Sequence, residues 1–395
     1  MRAVRRFARY LFFYVADTLV KTVPRSTALT PQLLLVRIDA IGDFVIWLDS
    51  AKAFRGLYPS ERTVLCVNSA VYKLAKALPH WDEVVEVDLK RLGDSFRYRF
   101  KLLLQLRRRG FDTVIQPTFS RVFLHGDAIV RATGATHRVG SIGDLTNTRP
   151  ILKRISDSWY TKLVPAMPGH LMELERNAEF VRNLSGQVFS VSLPVLPKLK
   201  ELPEAMKVRS RYFVVFPGAS WAGRQWPVSK FSQVAATLFE TKGWVPVLCG
   251  GPNDRLACQS VIDQSGIASA INLGGLTTLT ELAEILRFAE LLVSNETSAV
   301  HIAVAVSTPS VCVLGGGHYG RFMPYPSDIV GGKSAVATHK MPCFNCNWHC
   351  TQPHAAGGPV PCISNVTVQS VLEQIESVLP HHGNQEALHS ENQAK

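Results

Sequence analysis

Between residues 33 and 314 the chain alternates short apolar runs with amphipathic segments. This alternation is typical of parallel strands that are joined by helices. Helical patterns are clearest at residues 229–240 and 278–288. Eight apolar runs are predicted as strands, at residues 33–38, 63–67, 84–87, 113–116, 213–216, 245–249, 291–294 and 310–314. The pattern predicts an α/β fold.

A proline-rich stretch at residues 192–203 interrupts this alternation. Proline lacks a backbone N–H and fits neither a long helix nor a central strand, so the stretch is predicted as part of a linker. A chain of 395 residues also exceeds one ordinary core, since domains commonly span roughly 100–200 residues. We therefore expect five regions. They are a membrane-surface segment at residues 1–30, a Rossmann-like domain at 31–190, a linker at 191–209, a second Rossmann-like domain at 210–380 and a polar, disordered tail at 381–395.

The N-terminal segment carries four arginines beside apolar residues that recur at helical spacing. Its apolar stretch reaches Asp17 long before the roughly 20 residues that span a bilayer, and no clear cleavage site follows, which argues against a secretory signal. Such a helix is predicted to lie in the membrane interface with its arginines on anionic headgroups. The alternative is a helix packed on the protein's own surface.

The formal net charge of +12 indicates an anionic partner. Four of the eight cysteines lie in or beside apolar runs, which suits reduced thiols in a cytoplasmic protein. The other four, with spacing C-x2-C-x3-C-x11-C, are compatible with a structural zinc or iron site, while disulfides and free thiols are alternatives. These candidate metal ligands are Cys343, Cys346, Cys350 and Cys362.

The first predicted strand runs into the sequence Arg37-Ile38-Asp39-Ala40-Ile41-Gly42-Asp43, which precedes an apolar helical run. Gly42 is predicted to permit a tight turn that places Asp43 at a helix N-terminus. Ligands of open parallel sheets bind beyond the carboxyl ends of the strands, so Asp43 is a candidate general base. The alternative is that Asp43 only caps the helix.

Three loops of the second predicted domain have features of ligand sites. Loop 216–227 carries glycines, the Ser220 hydroxyl and Arg224, whose planar guanidinium suits a pyrophosphate, although a solvated arginine is the alternative. Loop 294–301 opens a helix whose backbone N–H groups can bind an anion. His301 lies one turn into this helix and either contacts the same ligand or has a structural role. Segment 315–322 is rich in glycine, which implies close approach of a ligand or another loop.

Taken in order, these four stretches resemble the bacterial heptosyltransferases, glycosyltransferase family 9. The family pattern has R-x-D-x-x-G-D after a strand, then a P-G-A-S-like loop ending in K/R-x-W-P, then N-D-S/T-G-x-x-H, and then a glycine-bearing loop ending in R-F-x-P-Y. The matching segments are 37–43, 217–227, 295–301 and 315–325, and the resemblance covers about residues 33–378. It implies a GT-B fold, with acceptor recognition in the first domain and nucleotide-sugar binding in the second.

The resemblance further implies an inverting transfer without a catalytic cofactor, in which an acceptor hydroxyl displaces ADP from the sugar. Asp43 is then the general base, and Arg37 and Asp39 are predicted to bind the acceptor. The predicted donor-binding residues are Ser220, Arg224, Glu296, Thr297, Ser298 and His301.

The chain departs from the family pattern in two loops. Glu296 replaces the usual aspartate and Ser298 the following glycine, so the pocket for the donor sugar is predicted to differ in shape. Gly316, Gly317 and His318 stand where the family more often has P-T-D.

The predicted function is transfer of heptose from ADP-heptose to a lipopolysaccharide core or related glycan, in the cytoplasm at the inner face of the inner membrane. Basic residues are dense between Lys90 and Arg109 and are predicted to face a phosphorylated, lipid-linked acceptor, or else to form a solvated helix face. Nucleic acid is not a predicted partner, since no binding motif or aromatic platform accompanies them. A non-catalytic scaffold that binds sugar nucleotides and a nucleotide-sugar epimerase are the alternatives.

Overall fold

The computed structural model describes residues 2–26, 30–206 and 210–379. The tail predicted at 381–395 lies outside these residues. The chain divides into two compact units, Met1–Ser192 (unit 1) and Leu193–Lys395 (unit 2). Each unit is built around its own parallel sheet of six strands within the described residues, so the predicted α/β class is confirmed.

Unit 1 alternates strands with helices after its first helix. Its strands are β1 (Gln32–Arg37), β2 (Arg62–Asn68), β3 (Glu83–Val87), β4 (Thr113–Gln116), β5 (His137–Ser141) and β6 (Lys162–Val164). Its helices are α1 (Arg2–Thr22), α2 (Ile41–Leu57), α3 (Tyr72–Lys76), α4 (Leu89–Asp94), α5 (Phe96–Arg108), α6 (Ala128–Thr133), α7 (Pro150–Asp157) and α8 (Glu173–Ser185).

The strand order of unit 1 is β3-β2-β1-β4-β5-β6. All neighbouring strands are parallel. This is a doubly wound order, and ligands of such sheets bind beyond the carboxyl ends of the strands where the order reverses. The reversal lies between β1 and β4, so the residues that follow these two strands form the candidate site of unit 1.

Unit 2 repeats this plan. Its strands are β7 (Tyr212–Phe216), β8 (Val245–Leu248), β9 (Ile271–Asn272), β10 (Leu292–Asn295), β11 (Ser310–Val313) and β12 (Ser334–Ala337), in the order β12-β11-β10-β7-β8-β9. Its helices are α9 (Val228–Lys242), α10 (Arg255–Ser265), α11 (Leu279–Arg287), α12 (Ser298–Ala305), α13 (Ser327–Val330), α14 (Pro361–Ser364) and α15 (Val368–Val378). The order reverses between β7 and β10, which places two of the predicted donor loops together.

Four observed strands, β5, β6, β9 and β12, were not predicted. Strands β6, β9 and β12 lie at sheet edges, and β5 lies next to an edge. A strand at a sheet edge packs on fewer neighbours and needs less apolar surface, and β9 has only two residues. β5 has a neighbour on each side and was not predicted because its sequence, HRVGS, contains a single large apolar residue. The eight predicted strands are all present. Seven of them lie inside their sheets, where parallel strands are buried on both faces and read as apolar runs. The eighth, β3, lies at an edge and was recognisable from the valines of its sequence EVVEV.

Helix α1 has an inner face that packs on its own unit. Phe13 and Val20 are buried, and Asp17 pairs with Arg99 of α5, with Nη2 to Oδ2 at 2.5 Å and Nε to Oδ1 at 2.7 Å. Arg131 of α6 lies over the Tyr14 ring at 4.4 Å from its centroid. The predicted alternative, a helix packed on the protein's own surface, therefore holds for this face.

The opposite face of α1 is apolar and exposed. Leu11, Val15 and Leu19 follow one another at helical spacing with exposed fractions of 54%, 55% and 56%, and Phe12 lies beside them. We call these four residues the α1 stripe. An exposed apolar patch of this kind is typical of a surface that binds a partner or a membrane. Among the described residues, no helix is both long and apolar enough to cross a membrane.

Candidate active site

Arg37 ends β1, and its side chain is buried. Its Nε lies 3.0 Å from Asp39 Oδ2, and its Nη2 donates to the backbone carbonyl of Asp43 at 3.1 Å. Its Nη1 donates to Asn177 Oδ1 at 3.3 Å, and the Glu173 carboxylate lies 3.8 Å from the guanidinium. A buried charge needs such partners. Arg37 therefore holds the β1–α2 connection in place, and its predicted contact with an acceptor stays a prediction.

Asp39 links the ends of three strands in unit 1. Its Oδ2 accepts a hydrogen bond from Thr118 Oγ1 at 2.8 Å, and its backbone carbonyl accepts one from Asn68 Nδ2 at 3.2 Å. Asn68 ends β2 and Thr118 follows β4, so this cluster lies where the strand order reverses. Asp39 remains partly exposed. Thr118 and Asn68 were not predicted as site residues, although each follows a predicted strand, which is a usable signal.

Asp43 lies in the first turn of α2 and is partly exposed. The N-cap of this helix is Ala40, whose side chain makes no capping bond. Asp43 is therefore not the N-cap, although an acidic residue in a first turn also suits the helix dipole. Gly42 is the second residue of the helix and has no left-handed backbone conformation. The predicted tight turn at Gly42 is thus wrong, and the chain enters α2 directly from Ala40.

In unit 2, Asn295 joins the loops that follow β7 and β10. It is fully buried. Its Nδ2 donates to the Pro217 carbonyl at 2.7 Å, and its Oδ1 accepts from the Trp226 backbone N–H at 3.0 Å. These bonds fix the loop that carries Ser220 and Arg224 against the loop that carries Glu296. Ser220 itself is exposed on its loop.

Arg224 and Glu296 form an ion pair across these two loops. Arg224 Nη2 donates to the Glu296 backbone carbonyl at 2.6 Å and lies 3.3 Å from its Oε2. Burial raises the pKa of the Glu296 carboxyl to about 6, although the Arg224 charge opposes this rise. Glu296 Oε2 is buried and makes no hydrogen bond within the described part of the chain. The carboxylate therefore retains capacity to accept a hydrogen bond from a ligand, and Arg224 retains partial exposure toward one.

Helix α12 begins beside this pair. Thr297 is its N-cap and accepts a hydrogen bond from the Ala299 backbone N–H at 3.3 Å, and Ser298 is the partly exposed first residue. His301 is buried, and its Nδ1 shares a hydrogen bond of 2.9 Å with the Tyr325 hydroxyl. Burial, helped by the Arg224 charge, lowers the pKa of His301 to about 3. His301 is therefore a neutral hydrogen-bonding group near neutral pH, not a cationic phosphate ligand.

The glycines at 315–317 leave room for aromatic side chains from the cysteine-containing loop. A Cβ atom at Gly316 would lie 2.2 Å from Phe344, and one at Gly317 would lie 2.2 Å from Trp348. Trp348 also lies under the Arg224 guanidinium, with the ring centroid 5.0 Å away. At Gly316 and Gly317 the departure from the family pattern thus has a steric cause, since no larger residue fits beneath these rings. The cysteine-containing loop in turn supports the arginine of the candidate site.

The four clustered cysteines are close enough to influence one another. Burial raises the pKa of Cys362, a hydrogen bond from the Gly316 N–H opposes this rise, and the charges of Cys346, Cys343 and Cys350 add to it. Cys350 Sγ is directed at the Gln352 carbonyl, at 3.7 Å. In the described ranges no group of three or more possible ligands is placed to hold a metal ion. The predicted zinc or iron site therefore stays a prediction.

The dense basic stretch between Lys90 and Arg109 does not form one free cationic surface. Arg99 is buried against Asp17, and Arg107 donates to the backbone carbonyls of Val23 and Lys21 at the end of α1. Arg109 pairs with Glu83 at 2.5 Å. Several of these residues therefore join α1 and β3 to α5, which corrects the expectation that the whole stretch faces an acceptor.

Comparison with known proteins places these motifs in a family. The sequence model of glycosyltransferase family 9 (heptosyltransferase) matches residues 99–350. Lipopolysaccharide heptosyltransferase 3 of Escherichia coli (strain K12) is 23% identical over 298 residues, which cover 73% of this chain and 84% of the relative.

Two solved structures from E. coli share the fold. The structure of ADP-heptose lps heptosyltransferase II has a TM-score of 0.63 at 18% identity, covering 88% of this chain and 98% of the relative. Heptosyltransferase WaaC with ADP-2-deoxy-2-fluoro heptose has a TM-score of 0.64 at 18% identity, covering 87% and 99%. These matches confirm the predicted GT-B fold. The chain belongs to glycosyltransferase family 9, the heptosyltransferase family, and is a glycosyltransferase.

Proposed function

We propose that this enzyme transfers heptose from ADP-heptose to a lipopolysaccharide core or a related glycan, with inversion at the anomeric carbon. The observation that carries the proposal is the cluster of Arg224, Glu296, Asn295 and His301 where the strand order of unit 2 reverses. The relatives support this donor and acceptor, because they include a lipopolysaccharide heptosyltransferase, an ADP-heptose lps heptosyltransferase and a heptosyltransferase with ADP-2-deoxy-2-fluoro heptose.

In the proposed reaction the acceptor oxygen forms a bond to the anomeric carbon as the bond from that carbon to the ADP oxygen breaks. The acceptor hydroxyl loses its proton to the Asp43 carboxylate, and ADP leaves with the bonding electron pair. Asp43 has the partial exposure that this role requires. Arg37 acts as a positioning residue, because it binds the Asp43 carbonyl and the Asp39 carboxylate at once. Asp39 is proposed to contact an acceptor hydroxyl.

The donor is proposed to place its diphosphate at Arg224 and at the N-terminus of α12, where Thr297 and Ser298 lie. An arginine fork suits a diphosphate, and helix N–H groups add attraction for an anion. The buried Glu296 carboxylate is proposed to accept a hydrogen bond from a donor hydroxyl through Oε2, which has an ion-pair contact with Arg224 but no hydrogen bond among the described residues. His301 contributes hydrogen bonding without charge. Ser220 is proposed to approach the same phosphates from its exposed loop.

A transfer assay with the alanine variant of Arg224 tests this assignment. The wild-type enzyme is expected to release ADP from ADP-heptose and to attach heptose to a lipopolysaccharide core acceptor, and to prefer ADP-heptose over UDP- and GDP-sugars. In Arg224→Ala the donor Kd is expected to rise by about 10- to 100-fold, since a hydrogen bond to a charged group contributes about 1.5–3 kcal/mol. Calorimetric titration measures the Kd.

The variant Arg224→Ala leaves the Glu296 carboxylate buried without its partner, so the double variant Arg224→Ala/Glu296→Gln separates lost binding from lost stability. Arg211→Ala removes an exposed arginine of unit 2 that pairs with Glu290 and serves as the matched control. An unchanged donor Kd in both Arg224 variants removes Arg224 from the donor site. Binding without turnover would indicate a scaffold, and conversion of the donor without an acceptor would indicate an epimerase.

The enzyme is also proposed to act at the inner face of the cytoplasmic membrane through the α1 stripe. The stripe supplies apolar area at the surface, and the N-terminal segment carries Arg2, Arg5, Arg6 and Arg9. Each such charge near an anionic surface contributes about 1 kcal/mol of attraction. Membrane association of this kind would bring the enzyme to a lipid-linked acceptor.

The double variant Val15→Ser/Leu19→Ser is expected to weaken binding to anionic vesicles by about tenfold, because two apolar side chains then contribute less burial in the interface. Flotation with phosphatidylglycerol vesicles measures the bound fraction. Leu256→Ser/Leu276→Ser removes two exposed leucines of unit 2, with exposed fractions of 82% and 62%, and is the matched control. Equal flotation of the stripe variant and the wild-type enzyme would contradict a role for the stripe.

A further inference from the structure

A cavity of about 710 Å³ lies between α1 and α7 of unit 1. Its aromatic lining consists of Tyr10 and Tyr14 of α1 and Phe123, whose ring centroid lies 6.2 Å from that of Tyr10 and 6.4 Å from that of Tyr14. Leu152 and Ile155 of α7 add apolar surface. We call this cavity the α1–α7 groove. Its size falls in the range of sites that hold small ligands.

The rim of the α1–α7 groove is apolar as well. Leu11 of the α1 stripe and Ile151 of α7 both line the groove, with exposed fractions of 54% and 68%. Water that covers such surface is released when a hydrocarbon chain takes its place, which favours binding. The groove therefore suits a long apolar chain that enters from the exposed side of α1.

The charged side chain that lines the groove is basic. Arg149 lines the groove and is exposed, and Arg154 follows it on α7. Neither has an ion-pair partner among the described residues, whereas the neighbouring Lys153 pairs with Asp157 at 2.8 Å. The Asp144 carboxylate, on the same loop, accepts a hydrogen bond from Ser120 at 3.1 Å. A ligand with an apolar chain and an anionic head is complementary to this rim.

The loop at residues 146–149 also connects the α1–α7 groove to the candidate acceptor site. Asn147 Nδ2 donates to the Ser120 carbonyl at 2.9 Å. Ser120 lies two residues after Thr118, whose hydroxyl donates to Asp39 at 2.8 Å. One short loop therefore separates the groove from the carboxyl edge of the sheet that carries Asp39.

From these observations we propose that the α1–α7 groove binds an acyl chain of an anionic, lipid-linked glycan acceptor. The inference rests on the proposed function and specifies its substrate class, because it makes an acylated acceptor the preferred one. The acyl chain lies on Tyr10, Tyr14 and Phe123, and the anionic part of the lipid lies at Arg149. The glycan then extends along loop 146–149 toward Asp39.

A fluorescence experiment tests the groove without relying on transfer. Trp159 packs on its lining, with its ring centroid 4.9 Å from that of Phe123. An anionic lysophospholipid with a brominated acyl chain is expected to quench this tryptophan, and its unbrominated form is not. The quenching should be lost in Trp159→Phe and should need about tenfold more lipid in Ile151→Asp, because a charge at the rim opposes an apolar chain. Leu256→Asp, at an exposed leucine of unit 2, is the matched control.

A second measurement compares KM for an acylated acceptor with KM for its deacylated form. The wild-type enzyme is expected to have the lower KM for the acylated acceptor, and Ile151→Asp is expected to bring the ratio of the two values close to one. If no sugar transfer occurs with any acceptor, the proposed function fails while the quenching still decides whether the groove binds a chain. Absence of quenching, an unchanged KM ratio in Ile151→Asp, or a lipid-free dimer that Ile151→Asp dissociates would overturn the acyl-chain site.

Discussion

Asparagine in place of Asp43 is expected to lower the turnover of sugar transfer by about 10²–10⁴, the usual contribution of a positioned general base. The amide keeps the size of the carboxylate and its place in the first turn of α2, but it cannot take the proton of the acceptor hydroxyl. Donor affinity should change little, because Asp43 belongs to unit 1 and the proposed diphosphate ligands belong to unit 2. Steady-state kinetics and donor titration measure the two quantities.

The matched control is Asp94→Asn, which changes an aspartate of unit 1 whose side chain has an exposed fraction of 57% and pairs with Arg9. This control should retain wild-type turnover. The pH profile of kcat/KM gives a further readout, since the limb that reports the base should disappear in Asp43→Asn. Full turnover in Asp43→Asn would leave Asp43 with only its favourable position near the helix dipole and would require another base.

Alanine in place of Asp17 is expected to lower the free energy of unfolding by about 3–5 kcal/mol, the usual effect of removing one partner of a buried ion pair. Arg99 would stay buried, bound only to the carbonyls of Leu92 and Leu124 at 3.1 and 2.7 Å. Both Asp17 and Arg99 are buried between α1 and α5, so solvent cannot replace the lost carboxylate. Urea denaturation followed by circular dichroism measures the change.

Two further variants show whether the effect belongs to the buried pair. Asp94→Ala removes the acid of the exposed pair between Arg9 and Asp94 and should cost less than about 1 kcal/mol. The double variant Asp17→Leu/Arg99→Met removes both buried charges and should recover most of the stability, because apolar residues often replace a buried pair without loss. A loss below about 1 kcal/mol in Asp17→Ala would show that α1 is not held by this pair.

This pair also explains why removal of the whole N-terminal helix is a poor test of membrane binding. Without α1, Arg99 would lose its carboxylate, and the core that contains Val20 would be exposed. The stripe variant Val15→Ser/Leu19→Ser and the groove variant Ile151→Asp change only exposed positions of α1 and α7, so they test surface functions while the inner face of α1 stays packed.

The sequence by itself determined the class of the fold and the order of its motifs. Central parallel strands are buried on both faces, so β1 and β7 are recognisable as apolar runs without any partner in view. The residues that follow such strands meet at one edge of a sheet, so Asp43, Arg224 and the loop at residues 294–301 could be selected as site candidates from position alone. The roles of Asp39 and Glu296 were expected only from the resemblance to the family. Local patterns are sufficient to recognise these strands and their ends, because a short segment shows both the apolar run and the direction of the chain.

Only the tertiary structure decided which candidates lie inward and which remain available. Arg37 and Arg99 are buried, and each has a partner far away in the sequence: Asn177 lies 140 positions from Arg37, and Asp17 lies 82 positions from Arg99. Gly316 and Gly317 are required by Phe344 and Trp348, which pack on them from a later loop. The two apolar faces of α1 are distinguished only by what packs against one of them. Contacts between segments far apart in the chain depend on the folded arrangement, and no local periodicity encodes them.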